Sequence, residues 1–123
     1  GLAAYLAGLH TRDALLHGPM LGPLAETAVV GEWVKQFRAA GEEPPLYFWR
    51  ARDLEVDLVI ERDGRLFGVE VKATATPTPR HADALVRWLG LAGPSARGVL
   101  ACQVAAPAPL RPGVRAVPWH LAW

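Results

Sequence analysis

One cysteine, Cys102, occurs in 123 residues. A lone thiol excludes an internal disulfide and a multi-cysteine zinc site. Cys102 lies in the apolar run Val99-Leu-Ala-Cys-Gln-Val and is expected to be a buried strand residue. No apolar run approaches the ~18 residues that span a bilayer. The start also lacks a basic segment followed by an apolar one, so no secretory signal is expected. These absences point to a cytoplasmic protein without a membrane partner. Neither charge dominates: 13 Lys and Arg against 12 Asp and Glu leave a net +1, so a strong basic field is excluded. Lysine itself is scarce, Lys35 and Lys72 standing against 11 arginines. Arginine suits bidentate phosphate contact, and Arg50, Arg52, Arg80 and Arg87 flank the charged segment described next. No G-x-x-x-x-G-K-[ST] or G-x-G-x-x-G occurs, so this chain is not expected to hydrolyse ATP. The histidines (His10, His17, His81, His120) lack metal-ligand spacing, and no Ser/His/Asp arrangement has supporting context. What remains is 51% hydrophobic and 20% charged, the composition of one globular domain.

Within it, Glu55-Val-Asp57 and Glu70-Val-Lys72 are joined by a short turn. Asp63-Gly64 between Arg62 and Arg65 suits a type I′ hairpin, whose central residues need positive φ. Pairing Arg62 with Arg65 makes partners sum to 127, with Asp57 opposite Glu70 and Glu55 opposite Lys72. Strict alternation then puts these four on one face. The other face is Leu54, Val56, Leu58, Ile60, Phe67, Val69 and Val71, an expected core.

Directly opposed residues have Cβ atoms ~4.5–5.5 Å apart, within reach of one hard cation. Mg²⁺ takes one or two carboxylates, with waters and a substrate phosphate completing its shell. Lys72 would hold the attacking water or steady charge on the phosphate. A solvated ladder of acid–base pairs is the competing reading. Against it, Asp57 opposite Glu70 is a like-charge pair, destabilising unless a proton or cation neutralises it.

The remaining pattern is helix, three antiparallel strands, helix, strand: an α/β domain with a mixed sheet flanked by helices. Residues 1–21 form a helical lead-in, with Thr11 capping Arg12-Asp-Ala-Leu-Leu, and residues 22–123 the domain proper. Gly22 and Pro23 start a helix that runs to about Ala40, before Gly41. Val29, Val30, Trp33, Val34 and Phe37 are its apolar stripe. Glu26 lies on that stripe and needs a partner there, unless it serves only the helix dipole. Strands are expected at Leu46–Arg50, in the hairpin, at Gly98–Val104 and at Val114–Trp119. A second helix carrying Leu85, Trp88, Leu89 and Ala92 stops at Gly93-Pro94. Pro107, Pro109 and Pro112 mark a loop.

Asp57 followed by Glu70-Val71-Lys72 resembles the PD-(D/E)xK signature of restriction-endonuclease-like proteins, with Val56 in place of the proline. Gly1-Leu-Ala-Ala-Tyr-Leu, Gly22-Pro-Leu-Ala-Glu26-Thr-Ala-Val, Leu46-Tyr-Phe-Trp-Arg50, Val69-Glu-Val-Lys72-Ala and Val117-Pro-Trp119 follow the order of one group. The chain is similar, from Gly1 to Trp119, to the C-terminal domain of unknown function attached to AAA-type ATPases of bacteria and archaea. That resemblance implies a restriction-endonuclease-like fold and Mg²⁺ (or Mn²⁺) held by Asp57, Glu70 and Glu26. It also implies Lys72 as the catalytic lysine and Glu26 as accessory acid. The expected activity is phosphodiester hydrolysis of nucleic acid, DNA favoured, with the ATPase domain of the same polypeptide as partner. A non-catalytic nucleic-acid-binding or assembly module is the alternative. The first residue, Gly1, fits a piece of a longer polypeptide.

Overall fold

Asp63 and Gly64 both have positive φ, 51° and 72°, as a type I′ turn requires. The turn sets the frame of the sheet. It joins β2 (Leu54–Arg62) to β3 (Arg65–Val71) in antiparallel register, from Arg62 with Arg65 to Leu58 with Val69. Every pair in that ladder sums to 127, as the turn predicts. The structure, a computed structural model, describes Gly8 and residues 11–120. The Gly1-Leu-Ala-Ala-Tyr-Leu segment and His10 lie outside the described residues.

Helix α1 (Arg12–His17) is capped by Thr11, whose hydroxyl accepts the Ala14 amide at 3.1 Å. Helix α2 (Leu21–Ala39) begins two residues earlier than a Gly22 cap with Pro23 as first helical residue predicts. Strand β1 (Leu46–Ala51) pairs antiparallel with β2. After β3 come a single 3₁₀ turn (Pro79–Ala82) and α3 (Asp83–Ala92). Strands β4 (Arg97–Cys102), β5 (Ala108–Arg111) and β6 (Val114–Pro118) complete the sheet. Among the described residues its order is β1-β2-β3-β4-β6-β5, with β4 parallel to both β3 and β6. Strand β5 corrects the loop expected around Pro107–Pro112. It is an edge strand, where a missing N–H costs no ladder bond on the open side.

A helix covers each face. On one side α2 buries Val29, Trp33 and Phe37 against Leu58, Ile60, Val69, Val71, Val99 and Ala101. On the other, Leu85 and Trp88 of α3 meet Leu54, Val56, Val59, Leu100, Cys102, Val114 and Ala116. Trp88 lies so close to Gly68 that an added Cβ would stand 2.6 Å from the indole ring.

The single apolar face expected of β2 is therefore wrong. Leu54 and Val56 pack with α3, whereas Leu58 and Ile60 pack with α2. Alternation slips at Asp57, where the register of β1 against β2 shifts between the pairs Tyr47–Val59 and Trp49–Val56. Two residues of β2, Asp57 and Leu58, there oppose one of β1, Phe48, a bulge that reverses the side-chain phase.

Candidate metal and phosphodiester site

The slip at Asp57 decides how the acids are presented. The β2–β3 ladder ends at Leu58–Val69. Beyond it, the Val71 amide donates to Asp57 Oδ2 at 2.7 Å. The carboxylate thus stands where a neighbouring strand would place a carbonyl, anchored by a charge-assisted bond. The next amide, that of Lys72, donates to Ala101 O at 2.9 Å. The start of the loop after β3 is thereby held against β4, and Lys72 leaves a fixed point of backbone.

Glu70 alternates with Gly68 and pairs with Leu100, so it shares the face covered by α3. It is 8% exposed, the one charged side chain buried among the described residues. Its Oε1 accepts from Lys72 Nζ at 2.7 Å. Its Oε2 is buried without a hydrogen-bond partner among the described residues. A buried carboxylate oxygen left unsatisfied is costly and calls for a proton or a cation.

Electrostatics tie the remaining acids to this point. Burial raises Glu70 above the ordinary carboxyl range; the Lys72 bond opposes this, and the charges of Asp57 and Glu26 add to it. Asp57 is raised by burial, against the pull of the Val71 amide and of Lys72. Glu26, half-buried on α2, is raised by burial, then by Asp57 and Glu55. Burial pulls Lys72 down, but Glu70, Asp57 and Glu26 outweigh it and the net shift is upward. Glu26, Asp57, Glu70 and Lys72 are therefore linked electrostatically at the end of the sheet where β2 and β3 part, with Glu55 adding its charge to Glu26 and Asp57. An excess of negative charge held by rigid backbone is what a hard cation needs.

Glu26, Asp57, Glu70 and Lys72 are thus brought into one cluster, as the sequence suggests, but not on one sheet face. Glu26 arrives from the α2 side and Glu70 from the α3 side. Glu55 is not opposite Lys72. It pairs with Arg50 of β1, whose guanidinium lies 3.3 Å from its carboxylate. The cause is again the slip, which ends the β2–β3 ladder before Glu55 is reached. Among the described residues no three His, Cys, Asp or Glu side chains form a ready-made metal cage. A Mg²⁺ site does not require one, because water and substrate phosphate supply most of its shell. The orphaned Glu70 Oε2 and the acid-rich donor set fit such an ion. Arg87, by contrast, is engaged with Asp53 at 3.1 Å. A cavity of about 780 Å³, lined by Phe67, Arg97, Val99, Arg115 and Val117, lies toward the opposite end of β4 and β6. It holds none of these acids.

No helix among the described residues is long and apolar enough to cross a membrane. The uncharacterized proteins Rv2008c of Mycobacterium tuberculosis (strain ATCC 25618 / H37Rv) and Mb2031c of Mycobacterium bovis are each 40% identical to this chain over 79 residues. The aligned segment is 63% of this chain but 17% of either relative, so the chain spans a small part of the length of the curated proteins it matches. No solved structure matches. Residues 21–122, which carry every acid of the cluster, match the domain of unknown function DUF4143, and the chain belongs to that family.

Proposed function

We propose that the domain is a Mg²⁺-dependent nucleic-acid phosphodiesterase of the PD-(D/E)xK kind. In this reading it has a restriction-endonuclease-like core and lies C-terminal to an AAA-type ATPase in a longer cytoplasmic protein. The observation that carries it is the buried Glu70, with one oxygen on Lys72 and the other unsatisfied, inside a group of further carboxylates. Asp57 and Glu70, with Glu26 alongside, would hold the cation. A divalent ion there would lower the pKa of a bound water and polarise the phosphoryl oxygens.

The chain's own groups supply the rest. Glu70 orients Lys72 through the 2.7 Å contact and keeps it cationic. Lys72, half-exposed, donates hydrogen bonds to the attacking water or to charge growing on the phosphate. Asp57 is locked by the Val71 amide, so it loses little freedom on taking up an ion.

Lys72→Ala tests the assignment. It removes a contact made chiefly in the transition state, so Mg²⁺-dependent cleavage should be abolished while nucleic-acid binding stays within a few-fold. Lys72→Arg should fail as well, since a planar guanidinium does not replace a compact ammonium. If wild type cleaves neither DNA nor RNA, alone or joined to its ATPase, yet binds them as Lys72→Ala does, the domain is a non-catalytic binding module.

A further inference from the structure

Phe48 is 79% exposed and its neighbour Tyr47 57% exposed, on a strand with no partner on its outer side among the described residues. Large apolar rings on an open strand edge are a liability that folded proteins ordinarily avoid. The position is specific. Phe48 falls between the pairs Tyr47–Val59 and Trp49–Val56, and so lies beside Asp57 and Leu58 at the bulge. The device that re-aims Asp57 therefore also sets Phe48 opposite it in the strand register.

Cationic groups follow directly along the chain. Arg50 forms an ion pair with Glu55 whose side chains are 75% and 61% exposed, so it is readily exchanged for another anion. Arg52, exposed in the β1–β2 turn with φ 54°, has no carboxylate partner among the described residues. An exposed aromatic face beside arginines is the chemistry that holds unpaired nucleotides. The ring stacks on a base and the guanidinium groups meet the phosphates. Bases inside a duplex offer no free face to such a ring.

We propose that Phe48 is the stacking platform for an unpaired base, with Arg50 and Arg52 as its phosphate contacts. The substrate class of the neighbouring site is then single-stranded nucleic acid. For its chemical consequence this rests on the nuclease reading; for binding it does not.

The test is anisotropy of phosphorothioate-linked oligonucleotides, single-stranded and duplex, DNA and RNA, in Mg²⁺. A 2-aminopurine in the single strands reports stacking. Phe48→Ala should weaken single-strand binding roughly 5- to 100-fold, the range of one lost base–aromatic contact, and abolish 2-aminopurine quenching. Phe48→Tyr should restore both, and duplex binding should change little. The DNA and RNA arms tell which strand is preferred. Equal single-strand affinity for wild type and Phe48→Ala overturns the proposal, as does an equal loss on duplex. Unchanged binding with a shift from dimer to monomer in sedimentation also overturns it and makes the aromatic edge a self-association surface. Phe48-dependent binding without cleavage of ordinary oligonucleotides would leave the platform standing and refute the nuclease. Cleavage unaffected by Phe48→Ala would do the reverse.

Discussion

Replacing Lys72 by Met asks whether Glu70 is a carboxylate waiting for a cation or one half of an ordinary ion pair. Removing one partner of a fully buried pair costs about 3–5 kcal/mol, because a charge is stranded. Lys72 has a side chain 41% exposed against 10% for Glu70, so solvent screens part of that loss and about 1–2 kcal/mol is expected near pH 8. For a domain of this size that is a fall in Tm of roughly 4–8 °C. The pH dependence follows from the direction of the Glu70 shift. Its folded-state pKa is raised, so the folded state binds more protons than the unfolded chain, and stability is lost as pH rises above the ordinary carboxyl range. Without Lys72 that loss should steepen, making the variant nearly as stable as wild type at pH 5 and clearly weaker at pH 8. Mg²⁺ should then recover more stability in Lys72→Met than in wild type, since the ion takes the place of the ammonium. Urea unfolding followed by tryptophan fluorescence, at both pH values and with and without Mg²⁺, measures all three effects. Equal destabilisation at pH 5 and pH 8, or no preferential rescue by Mg²⁺, would refute the reasoning and leave Glu70–Lys72 a structural pair.

Wild type should be stabilised by Mn²⁺ through mass action, by about 1.4 kcal/mol at ten times Kd, and more at pH 8 than at pH 5 because protonated carboxyls do not bind metal. Asp57→Asn should show a flat melting temperature across the same titration, and an identical rise in both proteins would sink the site. Trp33, fully buried against the α2 side of the sheet with its indole N–H 3.3 Å from Trp119 O, should cost ~3–5 kcal/mol on replacement by Ala. A loss below about 1 kcal/mol in denaturant unfolding would mean that α2 does not pack there.

What the sequence shows and what it hides divide at Asp57. Asp63-Gly64 is a local instruction, and it carries the register unaided from Arg62–Arg65 to Leu58–Val69. The α2 stripe is local too, and Val29, Trp33 and Phe37 lie in the core as periodicity predicts. The bulge is different. It is written in how β1 meets β2, and no feature of Glu55-Val-Asp57 announces that Val56 will turn toward α3. Reading strict alternation through it places Glu55 against Lys72, although its partner comes from β1. Strand β5 is hidden for another reason: proline is evidence against a strand only where both edges must pair. Phe48 escapes notice because aromatic residues in an apolar run read as core. Its exposure follows only from β1 being at the margin of the sheet.

The two margins of that sheet are unlike. Strand β5 holds Pro109 and is bracketed by Pro107 and Pro112, so its free side offers few N–H donors to an incoming strand. Strand β1 contains no proline between Leu46 and Ala51. Head-to-tail growth would have to join β1 of one molecule to β5 of the next, and the imino acids deny it that second half. Among the described residues that leaves β1 against β1, a joint related by a two-fold axis that would use up the open edge of each copy. Strand addition through the described edges would therefore stop at a pair rather than run on as a fibre.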